Sequence, residues 1–572
     1  MRKNILNANR FLSLFAMVVV LACSSSAFGN ATIVIVNADG ANEGFNDPTP
    51  VAPVGGNPGT TRGQQRLNAF SHAASIWGAE LDSNVIIRIQ ASFDPLGANV
   101  LGSAGATYRV RDFGGVGLFP GSEFPATWYF AALADKRAGT ETLSIPNFPD
   151  IVAQFSSNFN FYLGLDNNHG AQNDLVAVLL HEFGHGLNFA NAVNEATGQN
   201  AGITATFPNG FTDIYARHTL DTTSGLTWNL MTNAQRQASA VNLDHVVWTG
   251  GAVAAGVPLV LSYGVPQLVI TSPAGIAGVY RLGAADFGAA LTGPGITGTV
   301  VRALDAADAA GPTTFDACSP LTNAAAVAGN VALVDRGTCG FPIKVKNAQN
   351  AGAIAVIVAD NVAGSPPPGM SGVDPTITIP SGRVTLATGD AIKANLGGGV
   401  TANLSLDLSR RAGTDSAGRA LLYAPTPVSL ASSISHWDVV ASRNLLMEPA
   451  ISSDLTHNVK APHDLTLELL RDVGWFADAD LDGMADADDC EANSNFAPTV
   501  VIDGCDSGVT NFLFTSGCTF SDLINHIAES SNNHGQFVAQ VNQLLNQMKK
   551  QGLITDAQKD ILSSCAGGAK IP

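Results

Sequence analysis

Leu175-Val176-Ala177-Val178-Leu179-Leu180-His181-Glu182-Phe183-Gly184-His185 sets the organisation of this chain. Six apolar residues run directly into two histidines placed four apart. The run predicts a buried, rigid helix from near Asp174 through Leu187, with Asn173 or Asp174 as its N-cap. Residues four apart share a helix face, so both imidazoles reach one tetrahedral metal. Glu182 is turned toward the position those ligands leave open. There it is placed to take a proton from a metal-activated water and return it to a leaving amine. The rival reading is a buried helix with two incidental histidines, but the five-residue pattern is rare in a chain with only 11 His.

A catalytic zinc takes three protein ligands. The positions seven and ten residues after His181 hold Asn188 and Asn191. Asn188 suits a left-handed turn, whereas Asn191 is a poor zinc ligand, so the third ligand must come from farther along. Ser435-His436-Trp437-Asp438 offers one, with His218, His245, His457, His463 and Asp213 as weaker rivals.

Upstream, Ala31 to Val36 alternates as a strand, and residues 41–63 are a Gly-, Pro- and Asn-rich loop. Gln64 to Leu81 carries apolar residues at helical spacing, and Asn84 to Phe93 reads as a second strand. From about 255 to 412 the composition shifts to Ala, Gly and Val. Within that stretch, Val331 to Val334, Lys344 to Ala351 and Ala353 to Ala359 predict a parallel strand–helix–strand unit. Aromatic and acidic residues return over 431–476, and 519–566 reads as three short helices.

After His436 come Leu446-Met447-Glu448-Pro449 and a helix that starts at Asp464-Leu465-Thr466-Leu467-Glu468 and ends at Val473-Gly474-Trp475. This order resembles the leishmanolysin-type branch of the metzincins over roughly residues 60–250 and 430–476. The resemblance implies His436 as the third zinc ligand and Met447 as the methionine of a turn beneath the metal. It implies an α+β fold: a metzincin-like catalytic domain, with a twisted sheet and an active-site helix, split by an insert.

The segment Cys318-Ser319-Pro320-Leu321 through Gly329-Asn330-Val331-Ala332-Leu333-Val334-Asp335-Arg336-Gly337 to Ala355-Val356-Ile357-Val358-Ala359-Asp360-Asn361 resembles a protease-associated (PA) domain, an α/β module. The resemblance implies substrate recruitment or a lid rather than chemistry. Farther on, Asp478, Asp480, Asp482, Asp486 and Asp489 stand at positions one, three, five, nine and twelve of a loop turned by Gly483. That spacing suits calcium and resembles thrombospondin type 3 and dockerin loops; the rival reading is a solvated acidic linker.

Arg2, Lys3 and Arg10, then the apolar Phe11–Cys23 stretch and Ala27-Phe28-Gly29, predict a secretory signal peptide. Cys23 after Ala22 leaves lipoprotein anchoring as a minor alternative. No other stretch is long and apolar enough to anchor the chain in a membrane. Cleavage after Gly29 moves the net charge from −18 to −21 by removing those three cations, which disfavours nucleic acid and anionic lipid as partners. Six cysteines remain, and an even number in an exported chain predicts disulfides. Sequence neighbourhood pairs Cys318 with Cys339, Cys490 with Cys505 and Cys518 with Cys565.

The resulting expectation is a signal peptide (1–29), a catalytic domain in two parts (30–255 and 413–476), an inserted PA domain (256–412), a calcium loop (477–495) and a disulfide-closed helical region (496–572). The expected activity is that of a secreted zinc endopeptidase acting on proteins or peptides, with Glu182 as base and His181, His185 and His436 as ligands. The alternative is a secreted binding or adhesion protein with a structural metal.

Overall fold

The computed structural model describes residues 30–116, 121–476, 486, 489–514 and 516–571. The expected signal peptide with Cys23, and Asp478, Asp480 and Asp482 of the acidic loop, lie outside the described residues.

Ile33–Asn37, Ile87–Asp94 and Ile151–Ser156 pair in parallel in that order, and Gly102–Ala106 closes the sheet as an antiparallel edge. The helix Arg62–Glu80 connects the first two strands, capped at its start by the Thr61 side chain on the Gln64 N–H. This crossover makes the unit α/β with a mixed sheet, which corrects the α+β expectation. Alternating apolar residues signal a strand but do not encode the direction of its partner. Along Ile87–Asp94 every second side chain is buried, and Phe70, Phe155 and Phe183 fill the layer between sheet and helices.

The chain leaves this body after the helix Gly251–Val260 and returns to it near residue 412. Phe183, Leu187, Trp437, Met447, Leu470 and Trp475 are buried in one continuous core, so the segments before and after the excursion build a single unit. Trp475 Nε1 donates to the Leu187 carbonyl (2.8 Å), and Tyr215 Oη donates to the Ile434 carbonyl (2.7 Å). The last helical turn stops at Gly474, whose φ of +99° suits glycine, and the Gly474 carbonyl accepts from Arg137 (3.1 Å).

The excursion carries an eight-stranded mixed sheet. Its central strands Ile296–Arg302, Val331–Asp335, Ala355–Ala359 and Ser381–Val384 are parallel; Thr401–Arg411 pairs antiparallel with Ile296–Arg302, and Tyr263–Ser272 pairs antiparallel with Thr401–Arg411. Apolar residues are buried on both of its faces. The module is tied to the first unit by Arg281, whose guanidinium bonds Asp438 at 2.7 and 3.2 Å and also pairs with Asp244. Ser365 and Thr426 exchange backbone hydrogen bonds, both at 2.9 Å.

The C-terminal unit packs the hairpin Thr499–Ile502 and Cys505–Thr510 against helices Phe520–Ser530, His534–Lys550 and Asp556–Gly568. Phe537, Val541 and Leu545 lie in its core. Cys318 pairs with Cys339, but the other two bridges are Cys490–Cys518 and Cys505–Cys565. The neighbour pairing is corrected because the hairpin carries Cys505 to the last helix, while the Cys490 N–H donates to the Ser516 carbonyl and brings Cys490 beside Cys518. No helix among the described residues is long and apolar enough to cross a membrane.

Candidate metal centre

The helix Leu175–Gly186 is buried along its whole length. Asp174 caps it by accepting from the Val176 N–H (2.8 Å). His181 and His185 therefore leave a rigid element on one face. After the turn that follows, Asn188 adopts a φ of +91° and its side-chain oxygen accepts from the Phe130 N–H (2.9 Å).

His436 arrives from the far side of the inserted module. Its Nε2 lies 3.2 Å from His185 Nε2 and 3.3 Å from His181 Nε2, and the two helix histidines are 3.2 Å apart at the same atoms. Each ring is held through its other nitrogen by a backbone carbonyl: Leu446 for His181 (2.7 Å), Phe189 for His185 (2.8 Å) and Ser432 for His436 (2.9 Å). A carbonyl only accepts, so each Nδ1 carries the proton and each Nε2 presents a lone pair. Three nitrogens bound tetrahedrally to zinc at about 2.0–2.1 Å stand about 3.3–3.4 Å apart. The tripod has that spacing before any metal is considered, and the donor set fits zinc. Burial lowers the pKa of His181 to about 4 and of His185 to about 3, and that of His436 falls well below the ordinary histidine value. All three are thus neutral at physiological pH, as metal ligands must be.

Glu182 is buried beside the edge strand. A methyl group built on Gly102 would lie 3.0 Å from Glu182 Cγ and 3.1 Å from Oε1, so glycine there lets the strand pass close to the carboxylate. Burial pushes the Glu182 pKa up to about 8, opposed by the backbone N–H of Ala104. Met447 is fully buried, and its Sδ would stand 2.9 Å from a methyl on Gly184, within the His181–His185 turn. The segment holding Met447 is clamped: Asp464 accepts from the Leu446 N–H (2.6 Å), Glu448 from the Leu445 N–H (2.8 Å), and the Met447 carbonyl from the Trp437 N–H (2.8 Å).

The weaker ligand candidates lie elsewhere. His218 stacks on Trp248, His245 contacts Thr222, His457 bonds Asp174, and His463 faces Arg443. Asp213 caps the short helix Ile214–His218 and accepts from the Ala192 N–H. Asn191 braces the site: its side chain donates to Ser435 Oγ (3.0 Å), next to His436, and to Glu195 (2.9 Å). Sequence reasoning missed that role, although the position of Asn191 ten residues after His181 marked it. The Ala104 N–H was invisible to it, because a backbone donor has no residue signature. Of the acidic-loop residues, only Asp486 and Asp489 are described, and Asp489 accepts from the Glu491 N–H (2.9 Å).

Residues 296–392 match the PA domain family. The chain is 36% identical over 149 residues to vacuolar-sorting receptor 3 of Arabidopsis thaliana, a match spanning 25% of this chain and 24% of that protein. It is 34% identical over 104 residues to the probable lipoprotein aminopeptidase LpqL of Mycobacterium tuberculosis, across 18% of this chain and 19% of that one. The chain thus spans about a quarter or less of the length of these curated relatives. Similar solved structures include BSAP, a zinc aminopeptidase from Bacillus subtilis (22% identity, TM-score 0.19, 27% of this chain and 36% of that one). A peptidase M28 precursor from Shewanella amazonensis is another (17% identity, TM-score 0.18, 34% of this chain and 44% of that one). These findings correct the family drawn from the sequence: the family model that matches is the PA domain, and the curated peptidase to which the chain is similar is a probable lipoprotein aminopeptidase, not a leishmanolysin-type metzincin. The metzincin resemblance rested on short segments around His436, Met447 and Trp475, and local motifs of that length do not define a family. The histidine geometry is independent of the family name.

Proposed function

We propose that the chain is a zinc-dependent peptidase in which His181, His185 and His436 hold the metal and Glu182 moves the proton. The observation that carries this reading is the convergence of three neutral imidazoles at zinc-ligand spacing with a buried carboxylate on the next helix position. Zinc, when bound, supplies a Lewis acid that polarises the scissile carbonyl and acidifies the attacking water. Glu182 accepts a proton from that water as its oxygen adds to the carbonyl carbon, then delivers the proton to the amine nitrogen as the C–N bond breaks. Burial raises this carboxyl and the Ala104 N–H lowers it, so the two effects together leave a group that both takes and gives a proton near neutral pH. The edge strand Gly102–Ala106 offers backbone groups along which an extended peptide would lie.

Relatives titled as aminopeptidases favour removal of N-terminal residues, whereas an edge strand beside the site favours internal cleavage. In this reading the PA module presents the substrate, the first 29 residues direct export, and the acidic loop of Asp478, Asp480, Asp482, Asp486 and Asp489 takes calcium. The test uses an N-terminally acetylated peptide and its free-amine counterpart, with wild type and Glu182→Gln. Metal-dependent hydrolysis by wild type and a loss of at least a hundredfold in the variant, with zinc content unchanged, is expected. Cleavage of the acetylated peptide assigns internal action, and cleavage of the free-amine peptide alone assigns aminopeptidase action. Undiminished hydrolysis by Glu182→Gln would refute the role given to Glu182, and no metal-dependent hydrolysis by wild type would refute the proposal and favour a binding protein with a structural metal.

A further inference from the structure

A second group of acidic side chains lies away from the histidines. Asp135 is on the helix Ala131–Ala138, Glu141 follows the end of that helix, and Asp150 immediately precedes the strand Ile151–Ser156. One carboxylate oxygen from each lies within 4.8 Å of the others. Asp135 and Asp150 are 2% and 1% exposed, while the Glu141 side chain is 36% exposed and opens one side to solvent.

We propose that Asp135, Glu141 and Asp150 form a binding site for a hard divalent cation, calcium by its donor set. Geometry supplies the first argument. Two oxygens bound to one calcium at about 2.4 Å stand at most about 4.8 Å apart, and the three carboxylates satisfy that limit. Charge supplies the second. The cation bonded within the group is Arg88, whose Nη1 meets Glu141 Oε1 at 2.6 Å. Burial and the neighbouring carboxyls push the pKa of Asp150 up to about 7; ionising all three against one guanidinium leaves two negative charges, which one divalent ion neutralises. Hydrogen bonding supplies the third and independent argument. Asp150 Oδ2 accepts from the Arg88 N–H (2.7 Å), but Asp150 Oδ1 is buried without any partner. A buried carboxylate oxygen left unmatched is costly, and a cation among these three groups would satisfy it. Asp135 is by contrast already oriented, by the Tyr108 hydroxyl on Oδ2 (2.9 Å) and the Thr142 N–H on Oδ1 (2.8 Å). Waters entering past Glu141 complete the six to eight ligands calcium takes.

The site also has a place in the architecture. The Asp150 carbonyl accepts from the Thr107 N–H (2.9 Å), and Ala106 pairs with Ile151. A cation there would fix the end of the edge strand whose Ala104 N–H faces Glu182.

Terbium replaces calcium and luminesces when a nearby tyrosine absorbs, and Tyr108 touches the site. The full chain, zinc-loaded and carrying Asp478→Ala and Asp480→Ala to silence the C-terminal acidic loop, is titrated with terbium and then with calcium. Tyrosine-sensitised emission that calcium displaces is expected. It should weaken several-fold in Tyr108→Phe, and terbium affinity should fall at least about tenfold in Asp150→Asn, which removes one charged ligand. Should Asp150→Asn fail to fold, Glu141→Gln at the open side serves instead, with the same expected loss. Calcium should raise the unfolding temperature of the parent and leave that of the ligand variant unmoved. Absence of sensitised emission, or emission and calcium response identical in parent and ligand variant, would overturn the site.

Discussion

Arg281→Met separates the inserted module from the segment that carries His436 without touching a proposed ligand. The Asp438 carboxylate is fully buried and receives two hydrogen bonds from Arg281, while the Arg281 side chain is 13% exposed. Removing one partner of a buried pair costs about 3–5 kcal/mol, because the other charge stays buried. Asp438 keeps the Val440 N–H (2.9 Å), and Asp244 on the other side of Arg281 is 35% exposed and can rehydrate. The lower end of the range applies, about 3 kcal/mol. His436 is two residues from Asp438, so part of that loss falls on the geometry of the tripod. At 1.36 kcal/mol per tenfold, the full amount bounds the loss of zinc affinity at about 150-fold, and a value between 10- and 100-fold is expected. Competition against a chromophoric chelator measures it. Arg281→Lys should recover little, since lysine lacks the paired donors that meet both Asp438 oxygens. In the double variant Arg281→Met, Asp438→Asn the loss should be smaller than the sum of the singles, because both changes remove one interaction. Zinc affinity of Arg281→Met within twofold of wild type would refute the claim that the module helps to hold the site.

Gly102→Ala places a methyl against both Glu182 and Phe155, the latter at 3.1 Å; kcat should fall about tenfold or more with zinc content retained, a displacement of the base being felt before the ligands are. Full activity in that variant would mean the edge strand yields freely. Glu468 has one oxygen on the Ala461 N–H (3.0 Å) and the other buried without a partner, and burial raises its pKa to about 7. A carboxyl whose folded pKa lies above its unfolded value near 4.3 contributes stability that is complete below about pH 4 and is lost as pH rises through about 7. The loss amounts to about 4 kcal/mol by linkage, so Glu468→Gln should flatten the fall in unfolding temperature between about pH 4 and 7. An unchanged slope in the variant would place that fall on other groups.

Much of the site was legible because its parts are local. The run Leu175–Leu180 and the His181–His185 spacing specify a buried helix and its metal-facing side in eleven consecutive residues. The sheet class was not legible, since the alternation in Ile87–Asp94 is the same whether its neighbours run parallel or antiparallel. The two C-terminal disulfides were misassigned for a related reason: chain proximity favours Cys490–Cys505, but a hairpin turn at Asp503 and Gly504 sends Cys505 toward the last helix. The Asp135, Glu141 and Asp150 group is spread over a helix, a loop and a strand start, and nothing in its spacing distinguishes it from solvated acids. The family reading failed where short segments stood in for an overall similarity.

The insertion between His185 and His436 also orders events during synthesis. The helix carrying two of the three imidazoles is complete when fewer than 190 residues have been made, yet the third emerges some 250 residues later. At about 5–20 residues per second that delay is about 12–50 s. Through that interval the nascent chain holds only a two-nitrogen fragment of the tripod. The full tripod becomes available only after the intervening module has been made and the strand Thr401–Arg411 has led the chain back. Acquisition of a tightly held zinc would therefore report that synthesis has passed the insert and reached His436, and a chain stopped inside the insert would carry the helix motif without the completed centre.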